Sequence, residues 1–118
     1  MSGEAERSQV EPPKPLSPTE LAARLERGDE LVLLDVREDG EIAIGALPGI
    51  THIPLGELSV RLSELDLDAE TVCICHHGIR SANAAAALFK IGFDGQLWSL
   101  TGGTDRWSIE VDPTLPRY

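Results

Sequence analysis

A chain of 118 residues, 42% of them apolar, suits one domain with a hydrophobic core of its own and is too apolar for a wholly disordered protein. Aromatic residues make up only 4%, so that core has to rest on Leu, Ile, Val and Ala. The formal net charge of -10, from 10 basic and 20 acidic side chains, favours solubility and argues against nucleic acid or an acidic membrane as partner.

Residues 1–15 are polar and carry Pro12, Pro13 and Pro15, which predicts a loose N-terminal tail before one domain over 16–118. This stretch has no apolar signal core and nothing later reads as a membrane span, so a cytoplasmic protein is expected. LSPTELAARLERG predicts the first helix. Ser17 is its N-cap, Pro18 stands at N1, Glu20 completes a capping box and Gly28 ends it. LVLLD, 31–35, is a short apolar run and predicts a central strand. VREDGE reads as a charged loop, and Gly45, Pro48 and Gly49 make 42–50 a turn-rich connection. THIP, 51–54, predicts a short strand limited by its proline. GELSVRLSELDL predicts a second helix, with Leu58, Leu62 and Leu65 at helical spacing.

TVCIC, 71–75, predicts the second clear strand. An alanine-rich helix over about 81–91 follows, ending before Gly92. GQLWSL, 95–100, predicts a third core strand, and TGGTDRWSIE starts a terminal helix. Helices and strands alternating in this way favour an α/β domain with a mainly parallel sheet.

The chemistry concentrates in CHHGIRS, 75–81, between a strand end and a helix start, where parallel sheets bind ligands. It lies in the longest acid-free span of an acidic chain, Thr71 to Phe93, which also holds Arg80 and Lys90. Gly78 permits a backbone turn that other residues resist, so several N–H groups can face one centre. The helix N-terminus adds unsatisfied donors and positive dipole character. Such a nest favours Cys75 as a thiolate, the nucleophilic form. Arg80 has the planar fork for a sulfur or phosphorus oxyanion, and Ser81 suits a helix cap. His76 and His77 are expected to shape the pocket rim, hydrogen-bond the loop or add partial positive charge. Adjacent side chains diverge and Cys75 makes only a third nearby ligand, so no metal site is expected. Cys73 and Cys75 are too close in a strand for an unstrained disulfide, and free thiols suit a reducing compartment. Cys73 is assigned to the core, with a resolving thiol as the alternative should the strand end fray. His52 is assigned to ordering its turn, Asp35 to tying Arg37 or loop N–H groups with the ligand face as its alternative, and Trp98 and Trp107 to the core or a pocket wall.

Taken together, these stretches resemble the rhodanese-like sulfurtransferase domain in its small single-domain form. CHHGIRS resembles the family's active-site loop, and LLDVRE, 33–38, the segment after the first core strand. GALPGITHIPLGEL, 45–58, is similar to the family's turn and strand before a helix, and LTGGTDRW, 100–107, to its C-terminal signature. The motifs stand in family order from Leu16 onward. The resemblance implies a three-layer α/β domain, with a central five-stranded, mostly parallel sheet and helices on both faces. It implies ping-pong sulfur transfer. Cys75 takes the outer sulfur of a donor such as thiosulfate, sulfite leaves, and the Cys75 persulfide passes sulfur to cyanide, a small thiol or a protein thiol. By the same resemblance, backbone N–H groups of His76, His77, Gly78, Ile79 and Arg80 cradle the persulfide. Arg80 steadies the loop or the donor, Asp35 and Arg37 support the fold and loop, and no cofactor is required. One departure is Ala46, where the family commonly has histidine.

Other functions use a related loop or the same fold. Phosphatases and arsenate reductases use a Cys-to-Arg loop one residue longer, and a shorter loop suits a persulfide better than a phosphoryl group. A binding or regulatory module on this fold would not need Cys75, Gly78 and Arg80 together. A sulfur relay to a protein partner would keep all three.

Overall fold

The computed structural model describes residues 10–118, so most of the expected N-terminal tail lies outside the described residues. Five short strands form one sheet. They are β1 (Lys14–Leu16), β2 (Val32–Asp35), β3 (Ile50–His52), β4 (Thr71–Ile74) and β5 (Leu97–Leu100). Their order is β1-β5-β4-β2-β3, and every pairing is parallel. Lys14 and Pro15, expected in the tail, instead form the edge strand against Trp98 and Ser99. A proline is tolerated there because an edge strand leaves one row of donors unpaired.

Helix α1 (Pro18–Glu26) begins with the expected capping box. The Ser17 hydroxyl accepts from the Glu20 N–H at 3.1 Å, and the Glu20 carboxylate accepts from the Ser17 N–H at 2.9 Å. The expected charged loop after β2 instead contains helix α2 (Asp39–Ile44). Six residues with an internal glycine carry little helical pattern, but the Glu41 carboxylate accepts from the Glu38 N–H at 3.0 Å and secures the first turn. The helix expected over GELSVRLSELDL is absent. Two 3₁₀ turns, Leu55–Val60 and Leu62–Glu64, stand in its place. Leu55 with Leu58, and Leu62 with Leu65, recur every three residues. That spacing aligns side chains on a 3₁₀ turn, and it points these four leucines at the core.

Helix α3 (Ile79–Lys90) starts two residues before the sequence suggested, and α4 (Gly103–Glu110) closes the layer arrangement. Alternation along the strands divides the core in two. Leu34, Cys73 and Cys75 point with Ala84, Ala85 and Leu88 of α3 into one cluster. Leu33, Val72 and Ile74 point with Leu21 of α1 and Trp107 of α4 into the other. Alanine on α3 lets that helix lie close to the sheet. Among the described residues, no helix is long and apolar enough to cross a membrane.

Candidate active site

Cys75 follows the last residue of β4, the central strand, and the chain then turns through His76–Gly78 into α3. The turn is possible because Gly78 adopts φ 102°, the left-handed region that a side chain disfavours. Gly78, not Ser81, is therefore the N-cap of α3. Ser81 lies inside the first turn, fully buried.

This turn directs backbone donors at the sulfur. The Gly78 N–H donates to Cys75 Sγ at 3.1 Å and the Ser81 N–H at 3.2 Å. The Ser81 hydroxyl lies 3.4 Å from Sγ, donates to the Gly78 carbonyl at 3.1 Å and meets the Ser99 hydroxyl at 2.7 Å. Two amides at the start of a helix give the sulfur a fixed, positively polarised environment. Negative charge developing on that sulfur is stabilised without reorganisation. Cys75 is only 1% exposed, and groups from other elements pack on its loop.

One such group is backbone. Gly103, at φ 62°, lies so close to the loop that a Cβ there would stand 2.3 Å from the Cys75 carbonyl oxygen. Its neighbours complete a clamp. The Thr104 N–H donates to the Cys75 carbonyl at 2.8 Å, and the Asp105 N–H to the His76 carbonyl at 3.1 Å. The paired glycines of LTGGTDRW thus let α4 bring its own N-terminal donors onto the cysteine loop.

The loop's side chains go separate ways. His77 and Ile79 point outward, Ile79 being 74% exposed. His76 stacks on Tyr118, ring centroids 3.9 Å apart and planes 10° from parallel. Burial, helped by the nearby His77, lowers the His76 pKa and favours neutral imidazole. Arg80 does not face the sulfur as an empty oxyanion fork. Its guanidinium donates to both carboxylate oxygens of Glu41, at 2.6 and 2.9 Å. This contact holds Glu41 far below the usual carboxylate range and raises the Arg80 pKa.

Behind the loop, Asp35 and Arg37 are fully buried and paired, the Arg37 fork donating to both Asp35 oxygens at 2.8–3.1 Å. Burial disfavours the charged guanidinium, but its bonds to Asp35 and Tyr118 outweigh that penalty and the net shift is upward. Arg37 also donates to the Gly45 carbonyl at 2.9 Å, and the Arg37 carbonyl accepts from His52 Nε2 at 2.6 Å. Asp35 therefore ties Arg37, and His52 orders the turn. Cys73 is fully buried, and burial pushes its thiol up to about 12. Trp107 is core, whereas the half-buried Trp98 donates to Glu70 at 2.8 Å. Among the described residues, no three His, Cys, Asp or Glu side chains group as metal ligands.

Sequence reasoning missed Glu41, Ser99, Gly103 and Tyr118 as neighbours of the loop. Glu38 and Glu41 stand at capping-box spacing, a signal that was there to find. Tyr118 gives none: it is the chain's single tyrosine, 37 residues beyond Ser81.

In an open parallel α/β sheet, the carboxyl end of a central strand is where ligands bind, and here a cysteine loop occupies that place. The profile of the Rhodanese-like domain matches residues 17–110, and the chain belongs to that family as a small single domain. It is 38% identical over 100 residues to the Bacillus subtilis protein YtwF, covering 85% of this chain and 95% of that one. It is 33% identical over 90 residues to the thiosulfate sulfurtransferase GlpE of Pseudomonas putida, covering 76% of this chain and 81% of that one. A rhodanese-related protein from Thermoplasma volcanium superposes with a TM-score of 0.74 at 28% identity, covering 83% of this chain and 93% of that one.

Proposed function

We propose that this protein is a sulfurtransferase that carries sulfane sulfur as a Cys75 persulfide. Relatedness to sulfurtransferases supports sulfur transfer as the general activity. The observation that carries the specific reading is the pair of N–H groups, Gly78 and Ser81, aimed at the Cys75 sulfur.

In the first half-reaction the Cys75 thiolate attacks the outer sulfur of thiosulfate. A new sulfur–sulfur bond forms, the bond to the sulfonate sulfur breaks, and sulfite leaves with its electron pair. The product is a Cys75 persulfide anion, whose charge sits where the loop amides and the start of α3 favour it. In the second half-reaction cyanide or a thiolate attacks the outer sulfur, and Cys75 leaves as thiolate. Neither step changes the net oxidation state of the pair of reactants, and neither calls for a cofactor. Residues 14–118, edge strand included, form the working domain in this reading, and two free cysteines suit a reducing cytoplasm.

A relay to a protein-borne thiol is a second reading, favoured by one observation. Ile79 stands exposed on the loop beside an apolar groove of ≈ 570 Å³ lined in part by Pro13, Pro15, Ala82 and Ala86. A small anion needs no such surface.

Intact-protein mass after thiosulfate treatment, without reductant, tests the proposal. Wild type gains about 32 Da, cyanide removes it as thiocyanate, and Cys75→Ser gains nothing. A folded, reduced wild type that gains no mass from thiosulfate or from an organic persulfide would overturn it.

A further inference from the structure

Cys75 is buried inside a loop held at its two ends by different partners, and one residue outside the loop reaches both ends. The Tyr118 ring lies flat on His76, at 3.9 Å and 10°, next to the reactive cysteine. Its hydroxyl donates to Glu41 Oε2 at 2.7 Å, and the same carboxylate clamps Arg80 at the far end of the loop. We propose that Tyr118 is a positioning residue for the Cys75 loop, fixing its first side chain by stacking and its last through Glu41. This rests on the reading of Cys75 as a sulfur carrier.

Three observations argue that the contact is built. First, the Tyr118 hydroxyl is fully used, donating to Glu41 and accepting from Arg37 Nη1 at 2.9 Å. Arg37 is itself locked on Asp35, so the tyrosine hangs from the buried ion pair of the domain. Second, the Glu41 carboxylate has no acceptor site to spare. Oε1 takes Arg80 and the Glu38 N–H, and Oε2 takes Arg80 and Tyr118. Third, the segment leading to Tyr118 is seated on the body of the protein. Leu115 is buried and its carbonyl accepts from Ser108 at 2.6 Å, while Pro116 packs on Gly45, where a Cβ would stand 3.0 Å from its Cδ. Arg117 donates to Asp105 at 2.8 Å.

The His76 ring has no polar anchor in this arrangement. Its Nε2 is buried and has no hydrogen-bond partner among the described residues, so ring stacking and not a polar contact holds it. A neutral ring is what burial favours there. With one end of the loop held by stacking and the other by a carboxylate fork, the Gly78 and Ser81 amides keep their aim at the sulfur. Small errors in such aim lower a rate by factors of up to about a hundred.

The test compares wild type, Tyr118→Phe and Tyr118→Ala by quenched-flow mass measurement of sulfur loading at saturating thiosulfate, normalised to folded protein from thermal melts. The alanine variant is expected to load about tenfold or more slowly, and phenylalanine, which keeps the stack, to recover at least half of that loss on a logarithmic scale. An alanine variant that loads at the wild-type rate overturns the proposal. So does a loss accounted for wholly by unfolded protein, or a phenylalanine variant no better than alanine. Failure of the sulfur-carrier reading looks different, because wild type itself then takes up no sulfur.

Discussion

Arg80 and Glu41, 39 residues apart in sequence, meet through both prongs of the guanidinium at 2.6 and 2.9 Å. The contact joins the Cys75 loop to the short helix α2 and makes the guanidinium fork a fixed strut. Lysine keeps the charge but not the two-pronged geometry. Arg80→Lys is therefore expected to retain a folded protein and to lower the sulfur-loading rate about three- to tenfold, read by the mass assay.

The same pair has a pH signature. Arg80 holds the Glu41 pKa far below its ordinary 4.5. A depressed folded pKa adds stability that is present in full above the unfolded value and is lost as pH falls towards the folded one. The Tm difference between wild type and Glu41→Gln should thus be constant from pH 7 to 5 and shrink below about 4.5. A difference that grows on acidification would contradict the strut.

Asp35→Ala leaves the Arg37 guanidinium fully buried without its carboxylate. Breaking a buried pair from one side costs about 3–5 kcal/mol. Urea unfolding should show a loss of that size, and Asp35→Asn, which keeps an acceptor, a smaller one.

The two thiols should differ sharply. Cys73 is fully buried with its thiol pushed up to about 12, whereas Cys75 receives two backbone donors. Iodoacetamide at pH 8 is expected to label native protein at Cys75 alone, and Cys75→Ser only after denaturation. Peptide mapping reads both sites.

Gly103→Ala drives a methyl group to 2.3 Å from the Cys75 carbonyl and strains a φ of 62°. Loss of about 2–4 kcal/mol is expected, together with slower loading. Calorimetry and the mass assay separate the two effects.

The elements with strong local signals were legible. Ser17 and Glu20 announced α1, apolar runs announced β2, β4 and β5, and CHHGIRS announced the turn on which the sulfur sits. Elements that depend on partners elsewhere were not. The edge strand β1 exists because β5 offers it a ladder, and its own residues are Lys, Pro and Leu. Helix α2 is six acidic and apolar residues whose value lies in presenting Glu41. Periodicity at three and periodicity at four share too many leucine positions for the 3₁₀ turns to be told from a helix in advance. Around the cysteine, local chemistry named the loop, but the contacts of Arg80 and His76 come from residues 39 and 42 positions away.

The strand order carries a consequence for how the molecule breathes. Thermal opening of a sheet starts at its margins, here β1 and β3, each three residues long. The strand that leads into Cys75 is the innermost, laddered on both sides. Amide hydrogens of Val72, Cys73 and Ile74 should therefore be the slowest to exchange with deuterium, and a molecule frayed at either margin still keeps its sulfur-bearing residue mounted on intact scaffold.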